Sequence, residues 1–581
     1  MRQREASGIA DLDLVSKAVG PLPLINHVLR RLRLAHFFGQ AVPPRDRRTQ
    51  LAPAVGLGVL LRNVLVAREP LYSVSAWARR FEPALLGLGP GDAARLNDDR
   101  VGRCLDRLFL ADRPTLLTTL MVHATRTFAL DLRELHNDST TVTFTGQYSR
   151  ATGAPYRGRP THRITHGFNK DHRPDLKQLL YILTTSADGA VPVWYRVDHG
   201  NTTDDQTHLE TWDTLRRLVG RPDFLYVADS KLCTRENMQH LQREGGRFLT
   251  VLPKTRREDT WFRDWIQTHA VPWVELLRRR HPRRQHAPDD VYRGVEAPRR
   301  SAEGYRILWF WSSQKAAQDR EARERRLQHA GDELDRLRAR VHAPRSRLKT
   351  LPQVRAAAEA VLAQTQAARW LAVEVTAVDT PVFKQATAGR PGPRTRYVRH
   401  RHTRLELHWT ARAEALQYDA HTDGLFPLIL NDETLSLREA LLAYKRQPAL
   451  EKRHEQFKSV LEVRPMLLKS PTRIEAFLFV YFVALLVEAL VERELRRRMK
   501  AAHLPTLPLY PEGRPCQCPT ADRIFRLFDD VRRHRLLGPG GDLHKCFCDP
   551  LTPLQGTVLR LLGLSETAYF AAAEEGTGAS A

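Results

Sequence analysis

The sequence predicts an α/β protein built around a mixed β-sheet that is covered by helices. Residues 140–144 alternate β-branched and aromatic side chains, which is typical of a strand. Two further strand patterns follow at 178–185 and 191–197. The short apolar run 224–228 ends directly at Asp229, as a buried parallel strand does. These observations place four strands in the first half of the chain.

Helical patterns separate the later strands. Residues 204–218 carry apolar side chains at helical spacing, and 234–244 form a second helical segment that leads into a strand at 248–252. The order is β-β-β-α-β-α-β, and a helix within 437–500 extends it to β-β-β-α-β-α-β-α. Three strands in a meander, followed by alternating helices and strands, give a mixed sheet with helices on its faces.

The remaining segments differ from this core. The N-terminal part reads as helical, with Arg30, Arg31 and Arg33 beside an apolar stripe. An Arg-rich insertion contains a strand pattern at 305–311 and a charged helical hairpin that begins near 315. The predicted segments are 1–131 (helical domain), 132–253 (first part of the core), 254–425 (insertion), 426–500 (second part of the core) and 501–581 (tail with one amphipathic helix at 521–537).

The charge of the chain indicates the class of its partner. Lys and Arg number 91 against 66 Asp and Glu, which gives a net charge of +25 and a pI near 10.2. Such an excess favours a polyanion such as nucleic acid, because basic side chains neutralise phosphates and release counterions. A soluble Arg-rich chain without such a partner is the plainer alternative. The basic N-terminal helices are then either a surface for DNA ends or an ordinary solvated face.

Hydropathy and cysteine content bear on the compartment. No window has the roughly 18 uncharged apolar residues of a membrane span. The closest, 476–491, contains Glu488 and predicts a buried helix. Six Cys in 581 residues predict a reducing compartment, so we expect a cytoplasmic, nucleoid-associated protein without a membrane partner. The pairs Cys516/Cys518 and Cys546/Cys548 have one residue between them, which is atypical of zinc sites, and no metal is assigned there.

Two aspartates stand at positions that strands disfavour. Asp138 lies in the strand that begins at His136, and Asp229 closes the apolar strand 226–228. Each alone could be an ordinary loop or cap carboxylate. Together they suit phosphodiester chemistry, because two metal ions about 3.5–4 Å apart can activate the attacking oxygen and stabilise the leaving one. Mg²⁺ prefers carboxylate oxygens, and these must converge from rigid elements.

This order of strands, with an Asp on the first and an Asp after the fourth, resembles the ribonuclease-H-like core of DDE transposases and retroviral integrases. In relatives from bacterial insertion sequences the third carboxylate lies in a Y-x2-R-x3-E-x6-K pattern. The chain has Tyr444, Gln447, Glu451 and Lys458 at these spacings. Gln447 replaces the usual Arg. Pro448 would either bend a helix here or begin one.

Longer segments resemble one group of these transposases over residues 20–500. They are GPLPLINHVLRRL at 20, LNDDRVGRCLDRL at 96, KDHRPDLKQL at 170, DGAVPVWYRVDHGNTTD at 188, YVADSKL at 226, GGRFLTVLPKTR at 245 and EGYRILWFWSSQK at 303. In that group an insertion separates the second Asp from the Glu. Here Asp229 and Glu451 are 451 − 229 = 222 residues apart.

The resemblance implies a DNA transposase in which Asp138, Asp229 and Glu451 bind two Mg²⁺ ions, with Mn²⁺ as a substitute. The enzyme would bind the terminal repeats of an insertion sequence, cleave there and join the 3′-hydroxyl ends to target DNA. A homodimer is expected in the synaptic complex. Two alternatives stay open, a nuclease on the same core and a catalytically silent derivative that binds ends only.

Further residues are expected to contact DNA. The resemblance implies phosphate-facing roles for Tyr444 and Lys458, and Gln447 shares their pattern. The basic residues Lys254, Arg256 and Arg257 follow the last core strand and could hold the DNA backbone. Each could instead be a solvated surface charge. Trp309 and Trp311 in the insertion could stack on a flipped base, although a tryptophan on a strand more often belongs to the core.

Overall fold

A computed structural model describes residues 12–44, 51–280, 288–463 and 468–570. Parts of the predicted N-terminal domain (1–11 and 45–50), insertion (281–287), second core segment (464–467) and tail (571–581) therefore lie outside the described residues. The chain forms two compact units. The first comprises Met1–Thr250 and Leu442–Ala581, and the second comprises Val251–Leu441. The predicted division into five segments stays a prediction.

The strands in chain order are β1 (Asp13–Ala18), β2 (Glu134–Phe144), β3 (Lys177–Ser186), β4 (Pro192–Asp198), β5 (Leu225–Ala228), β6 (Arg247–Val251), β7 (Val274–Arg279), β8 (Asp290–Glu296), β9 (Arg306–Ser312), β10 (Leu371–Gln385), β11 (Tyr397–Ala411), β12 (Leu425–Leu430), β13 (Arg532–Leu537) and β14 (Leu543–Cys548).

The α-helices are α1 (Leu22–Arg31), α2 (Leu34–Ala41), α3 (Pro53–Val66), α4 (Val74–Arg80), α5 (Asp92–Arg95), α6 (Asp98–Leu110), α7 (Arg113–Phe128), α8 (His208–Val219), α9 (Arg235–Arg243), α10 (Arg257–Trp265), α11 (Ser313–His342), α12 (Leu351–Gln364), α13 (Ala413–Thr422), α14 (Leu437–Tyr444), α15 (Gln447–Glu455), α16 (Pro471–Ala501), α17 (Ala521–Arg526), α18 (Pro553–Leu562) and α19 (Thr567–Phe570). A π-turn, Gln456–Val460, follows α15 directly.

The first unit contains the predicted sheet. Its strands lie in the order β4-β3-β2-β5-β6. β2 pairs antiparallel with β3 and β3 with β4, whereas β2 pairs parallel with β5 and β5 with β6. The prediction of a mixed sheet with helices is therefore confirmed, and each of the five predicted strands is present.

The long helix α16 forms the centre of the first unit. The apolar run expected to be a buried helix lies within it, and α16 packs against α1, α3, α6, α17, α18 and β4. It is long and apolar enough to cross a membrane, but 94% of its most apolar window is buried inside the protein. It is thus placed like the core helix of a soluble protein.

The prediction for the C-terminal end of this unit is wrong, and the N-terminal region, which is helical as predicted, also contains a strand. The segment 521–537 is not one helix, because α17 ends at Arg526 and β13 follows. β13 pairs with β1 on one side and with β14 on the other, so the N-terminal region also contains a strand. The pairing energy of strands that are distant in sequence overrides the local helical pattern.

The second unit contains the strands β12-β9-β8-β7 and a separate hairpin, β10-β11. The predicted charged helix and its returning partner are α11 and α12. Leu334, Leu337 and Leu362 form a core with Val375 and Leu407 of the β-hairpin. Trp309 is fully buried and stacks on Phe262 with ring centroids 4.2 Å apart, so it belongs to the core.

Glu488 of α16 generates a prediction about pH. Burial and the charge of Glu492 raise the pKa of Glu488 to about 8. The folded state therefore keeps a proton that the unfolded chain loses near pH 4.3, and this contribution to stability falls as pH rises from there to about 8. We expect Glu488→Gln to gain stability relative to the wild type between pH 6 and pH 8.5, by a few kcal/mol at most.

Thermal melting at both pH values measures this difference. The exposed Glu236 of α9 supplies the control, since Glu236→Gln removes a carboxylate that faces solvent. A difference between Glu488→Gln and wild type that does not change with pH would contradict the assignment.

Candidate active site

Parallel pairing brings Asp138 and Asp229 together. In the register of β2 and β5, His136 lies opposite Val227, so two residues further along Asp138 lies beside Asp229. Neighbouring strands are about 4.8 Å apart. Asp229 is the first residue after β5, and its Oδ1 accepts a hydrogen bond from the Lys231 N–H at 3.1 Å. The two aspartates predicted from sequence therefore share one edge of the sheet.

A third aspartate and a lysine join this pair. Lys170 Nζ lies 3.5 Å from Asp138 Oδ1 and 2.9 Å from Asp204 Oδ2. It also donates to the Ser139 carbonyl oxygen at 2.8 Å. Ser139 Oγ donates to Asp204 Oδ1 at 2.6 Å. Asp138, Asp204, Asp229 and Lys170 form what we call the acidic cluster.

The charges in the acidic cluster do not balance. Burial raises the pKa of Asp138, and the charge of Asp204 raises it further. The charge of Lys170 and the hydrogen bond from the Ser139 N–H lower this pKa but do not cancel the rise. Burial and the charge of Asp138 likewise raise the pKa of Asp229. Burial alone would raise the pKa of Asp204 as well, but its bonds to Lys170 and Ser139 outweigh that effect and lower it. One ammonium therefore faces three carboxylates.

Lys170 stays charged in this setting. Burial would lower the pKa of its ammonium, but the charges of Asp138, Asp204 and Asp229 outweigh burial and raise it. Lys170 contacts Asp138 and Asp204 directly, and the charge of Asp229 acts on it as well. The arrangement stabilises positive charge at this position.

The helix that carries Glu451, α15, begins at Gln447, directly before Pro448. α14 ends at Tyr444, and Pro448 lies in the first turn of α15, where a missing N–H costs no hydrogen bond. Of the two possibilities for Pro448, the start of a helix is the one observed. Lys458 lies beyond α15, in the π-turn. Tyr444, Glu451 and Lys458 therefore lie on three successive elements: α14, α15 and the π-turn.

Buried hydrogen bonds hold the start of α15 against β2. Gln447 is 8% exposed, and its Oε1 lies 2.9 Å from His136 Nδ1. Its Nε2 donates to the Asn137 carbonyl oxygen at 3.2 Å. Arg446 forms two hydrogen bonds to Glu134, at 2.7 and 2.6 Å. Gln447 thus uses both ends of its amide inside the protein, next to Asp138, rather than facing solvent as a DNA contact.

Tyr444 links Glu451 to the acidic cluster. Burial raises the pKa of Tyr444, and the charges of Glu451 and Asp229 raise it further. Both carboxylates are therefore near enough to act electrostatically on the Tyr444 hydroxyl. The Glu451 side chain is exposed, in contrast to the buried face of α15. Glu451 thus lies on α15, in the same unit as Asp138 and Asp229.

A neutral histidine lies behind Asp138. His454 Nε2 is 3.6 Å from Asp138 Oδ2. Burial, together with the charges of Lys170 and Lys458, lowers the pKa of His454 to about 3. Its hydrogen bond with the Asp138 backbone acts in the opposite direction but does not offset these effects. At neutral pH, His454 therefore adds no positive charge to the cluster.

Lys458 and Arg453 connect the π-turn and α15 to the rest of the unit. Lys458 Nζ donates to Asp171 Oδ1 at 2.7 Å. The buried Arg453 donates to the carbonyl oxygens of Gly189 and Ala190 and forms an ion pair with Glu492 at 2.9 Å. α15 is thus anchored on the β3–β4 turn and on α16.

The basic residues predicted after the last core strand belong to the second unit. Arg256 forms ion pairs with Glu258 at 2.9 Å and Glu303 at 2.6 Å, and these bonds raise its pKa. Its charge is therefore already neutralised within the protein. Lys254 and Arg257 are exposed.

The donor chemistry of the cluster suits a hard divalent cation. Aspartate oxygens dominate, and the repulsion between them is what an added cation would relieve. Within the described ranges, however, no three Asp, Glu, His or Cys side chains converge as a ready metal site, the C-terminal cysteines included. The Lys170 ammonium lies among the carboxylates instead. An ion bound there would have to compete with this internal charge.

Two members of the cluster were not predicted from sequence. Asp204 begins a single 3-10 turn before α8, and Lys170 lies in the loop before β3. Neither has a periodic pattern around it. Both residues nevertheless lie in segments that resemble one group of transposases, and this resemblance could have identified them. Lys170 begins the segment KDHRPDLKQL, and Asp204 ends the segment DGAVPVWYRVDHGNTTD.

Comparisons with known proteins bear on the N-terminal part. Residues 14–122 match the model of a domain of unknown function, DUF4277, a family typical of transposases. No curated protein is significantly similar to the chain. A solved structure of a piggyBac transposase synaptic complex with hairpin DNA is similar over 87% of this chain and 77% of that one. The sequence identity is 9% and the TM-score is 0.34.

The opposite pKa directions of two neighbouring aspartates generate a prediction. Because the folded state disfavours charge on Asp229 and favours it on Asp204, Asp229→Asn should raise the melting temperature at pH 7 and Asp204→Asn should lower it. We expect shifts of about 1–3 °C, as roughly 1 kcal/mol produces in a large domain. Melting is measured with a chelator present, and shifts of the same sign in both variants would contradict the charge distribution.

Proposed function

We propose that the chain is a DNA transposase whose active site contains Asp138, Asp229 and Glu451. The observation that carries the proposal is the parallel register of β2 and β5, which, continued by two residues, sets Asp138 beside Asp229. The charge of Asp138 accordingly raises the pKa of Asp229. Two-metal phosphodiester chemistry requires carboxylates on rigid elements, and in this proposal the sheet edge and α15 supply them. The match of residues 14–122 to a family typical of transposases supports the same assignment.

The fold supports this proposal as well. The order β4-β3-β2-β5-β6, antiparallel at β3 and β4 and parallel at β5 and β6, is the arrangement expected of a ribonuclease-H-like core. In this proposal the second unit is the insertion between Asp229 and Glu451. Substrates would be the terminal repeats of an insertion sequence and target DNA, bound in a synaptic homodimer within the cytoplasm.

The residues of the site would have separate tasks. Asp138, Asp229 and Glu451 would hold two Mg²⁺ ions, or Mn²⁺, which supply activation of the attacking oxygen and stabilisation of the leaving one. Lys170 keeps the aspartates together before DNA and metal bind. Gln447 is a positioning residue rather than a DNA contact, because its amide is used on β2.

Basic residues of each unit are proposed to bind DNA. Lys458, held by Asp171, would bind a non-bridging phosphate oxygen, and Tyr444 would face the same strand. Lys254 and Arg257 are proposed to contact the DNA backbone. Arg256 is the weakest of these candidates, because two glutamates already neutralise it.

Cleavage of a labelled duplex that carries the inverted repeats flanking the gene tests the proposal. With Mg²⁺ present, Asp138→Asn, Asp229→Asn and Glu451→Gln should each reduce cleavage by at least about a thousandfold, or about 4 kcal/mol of activation free energy. Binding of the duplex in a gel-shift assay should persist, because the substitutions remove negative charge.

Asp223→Asn is the matched control, since Asp223 lies just before β5, at the opposite end from Asp229. It should cleave normally. Normal cleavage by any of the three site variants would remove that residue from the site. Cleavage without joining of the ends to a target plasmid would instead identify a nuclease, and binding without cleavage by the wild type would identify a silent derivative.

A further inference from the structure

A large groove lies in the first unit, apart from the acidic cluster. Its volume is about 1520 Å³, and four segments line it: the start of α3, α6, the loop 145–161 that follows β2, and the start of α16. The loop continues directly from β2, the strand that carries Asp138. We call this cavity the α6 groove.

The α6 groove is strongly basic. Arg103 from α6, Arg150 and Arg157 from the loop, and Lys469 before α16 line it, and all four side chains are exposed. Within the described ranges, none of these four forms an ion pair. Three further arginines line the groove, so seven of its side chains are basic.

The acidic lining of the groove is already neutralised. Asp106 is its one acidic residue, and Arg473 binds it with two hydrogen bonds of 2.9 and 2.8 Å. A Cβ on Gly102 would lie only 2.5 Å from Arg473 Nη1, so the glycine lets the guanidinium lie against α6. The free charges of the groove are therefore all positive.

The walls of the groove are held in place. Tyr148 Oη donates to the Leu468 carbonyl oxygen at 3.1 Å, and the His162 N–H donates to Glu475 Oε1 of α16 at 2.8 Å. Thr161 Oγ1 donates to the Ala154 carbonyl oxygen at 2.7 Å, which closes the loop on itself. A preformed cationic groove binds a polyanion with little ordering cost.

We infer that the α6 groove binds the phosphodiester backbone of DNA that extends from the acidic cluster. This inference rests on the proposed function. Asp138 is seven residues from Thr145, where the loop begins, so the two sites are about 23 Å apart along β2. At about 3.4 Å per base pair, the groove would hold DNA roughly seven base pairs from the scissile phosphate. An exposed tyrosine, Tyr156, is available to pack on the sugar face.

The test is the salt dependence of binding to a 30-base-pair duplex, measured in EDTA so that cleavage plays no part. The variant replaces Arg103, Arg150, Arg157 and Lys469 by Gln. Four lost phosphate contacts should reduce the slope of log K against log salt by about 3 to 4 and weaken binding at least tenfold. The control replaces four exposed arginines of the same unit that do not line the groove: Arg126, Arg217, Arg235 and Arg243.

Equal slopes for the groove variant and the control variant would overturn the inference. If the quadruple variant fails to fold, the pairs Arg103/Lys469 and Arg150/Arg157 are tested separately, each with an expected loss of about 2 in slope. Poly-glutamate binding as tight as DNA binding, with the same loss in the groove variant, would indicate an acidic protein partner and also overturn it.

The outcome separates this inference from the proposed function. Suppose that the groove variant has a smaller slope of log K against log salt while Asp138→Asn and Asp229→Asn cleave normally. The groove assignment is then supported and the proposed active site is wrong. If those variants lose cleavage and the groove variant binds like the control, the active site stands and the groove assignment is wrong.

Discussion

The parallel pairing of β2 with β5 is the constraint on which the candidate site depends. It sets Asp138 beside Asp229 on neighbouring strands, and it does so through backbone hydrogen bonds that neither carboxylate contributes. A slip of one residue would turn every side chain of β2 to the other face. The antiparallel pairing of β2 with β3 restrains the same strand from its other side. The sheet therefore holds the two aspartates in place against their mutual repulsion.

The helix α15 depends on buried polar contacts for its place. Gln447 forms a hydrogen bond with His136 of β2, and Arg453 donates one to the β3–β4 turn. Arg453 also forms an ion pair with Glu492 of α16. Breaking such a buried pair by removing one partner is costly, about 3–5 kcal/mol, because an uncompensated charge remains. Glu451 itself makes none of these contacts and is exposed. The fold thus separates the residues that position the helix from the carboxylate that the helix presents.

The core strands could be predicted from sequence because alternation and short apolar runs are local signals. Asp138 and Asp229 were identified because each contradicts the strand around it. β1 and β13 could not be predicted, since each is a strand only through a partner at the far end of the chain. Lys170 and Asp204 lie in irregular segments, where the spacing of residues along the sequence does not predict which side chains lie close together. The role of Gln447 depends on its contacts with β2, and these contacts cannot be predicted from the spacing of a sequence pattern.

Manganese binding tests the central claim most directly, because Mn²⁺ is paramagnetic and is expected to substitute for Mg²⁺. We expect the wild-type protein with bound duplex to take up two Mn²⁺ ions per chain, as counted by electron paramagnetic resonance. The double variant Asp138→Asn/Asp229→Asn should lose this uptake, while Asp223→Asn should retain it. Unchanged Mn²⁺ stoichiometry and affinity in the double variant would contradict the claim that these aspartates form one metal-binding active site.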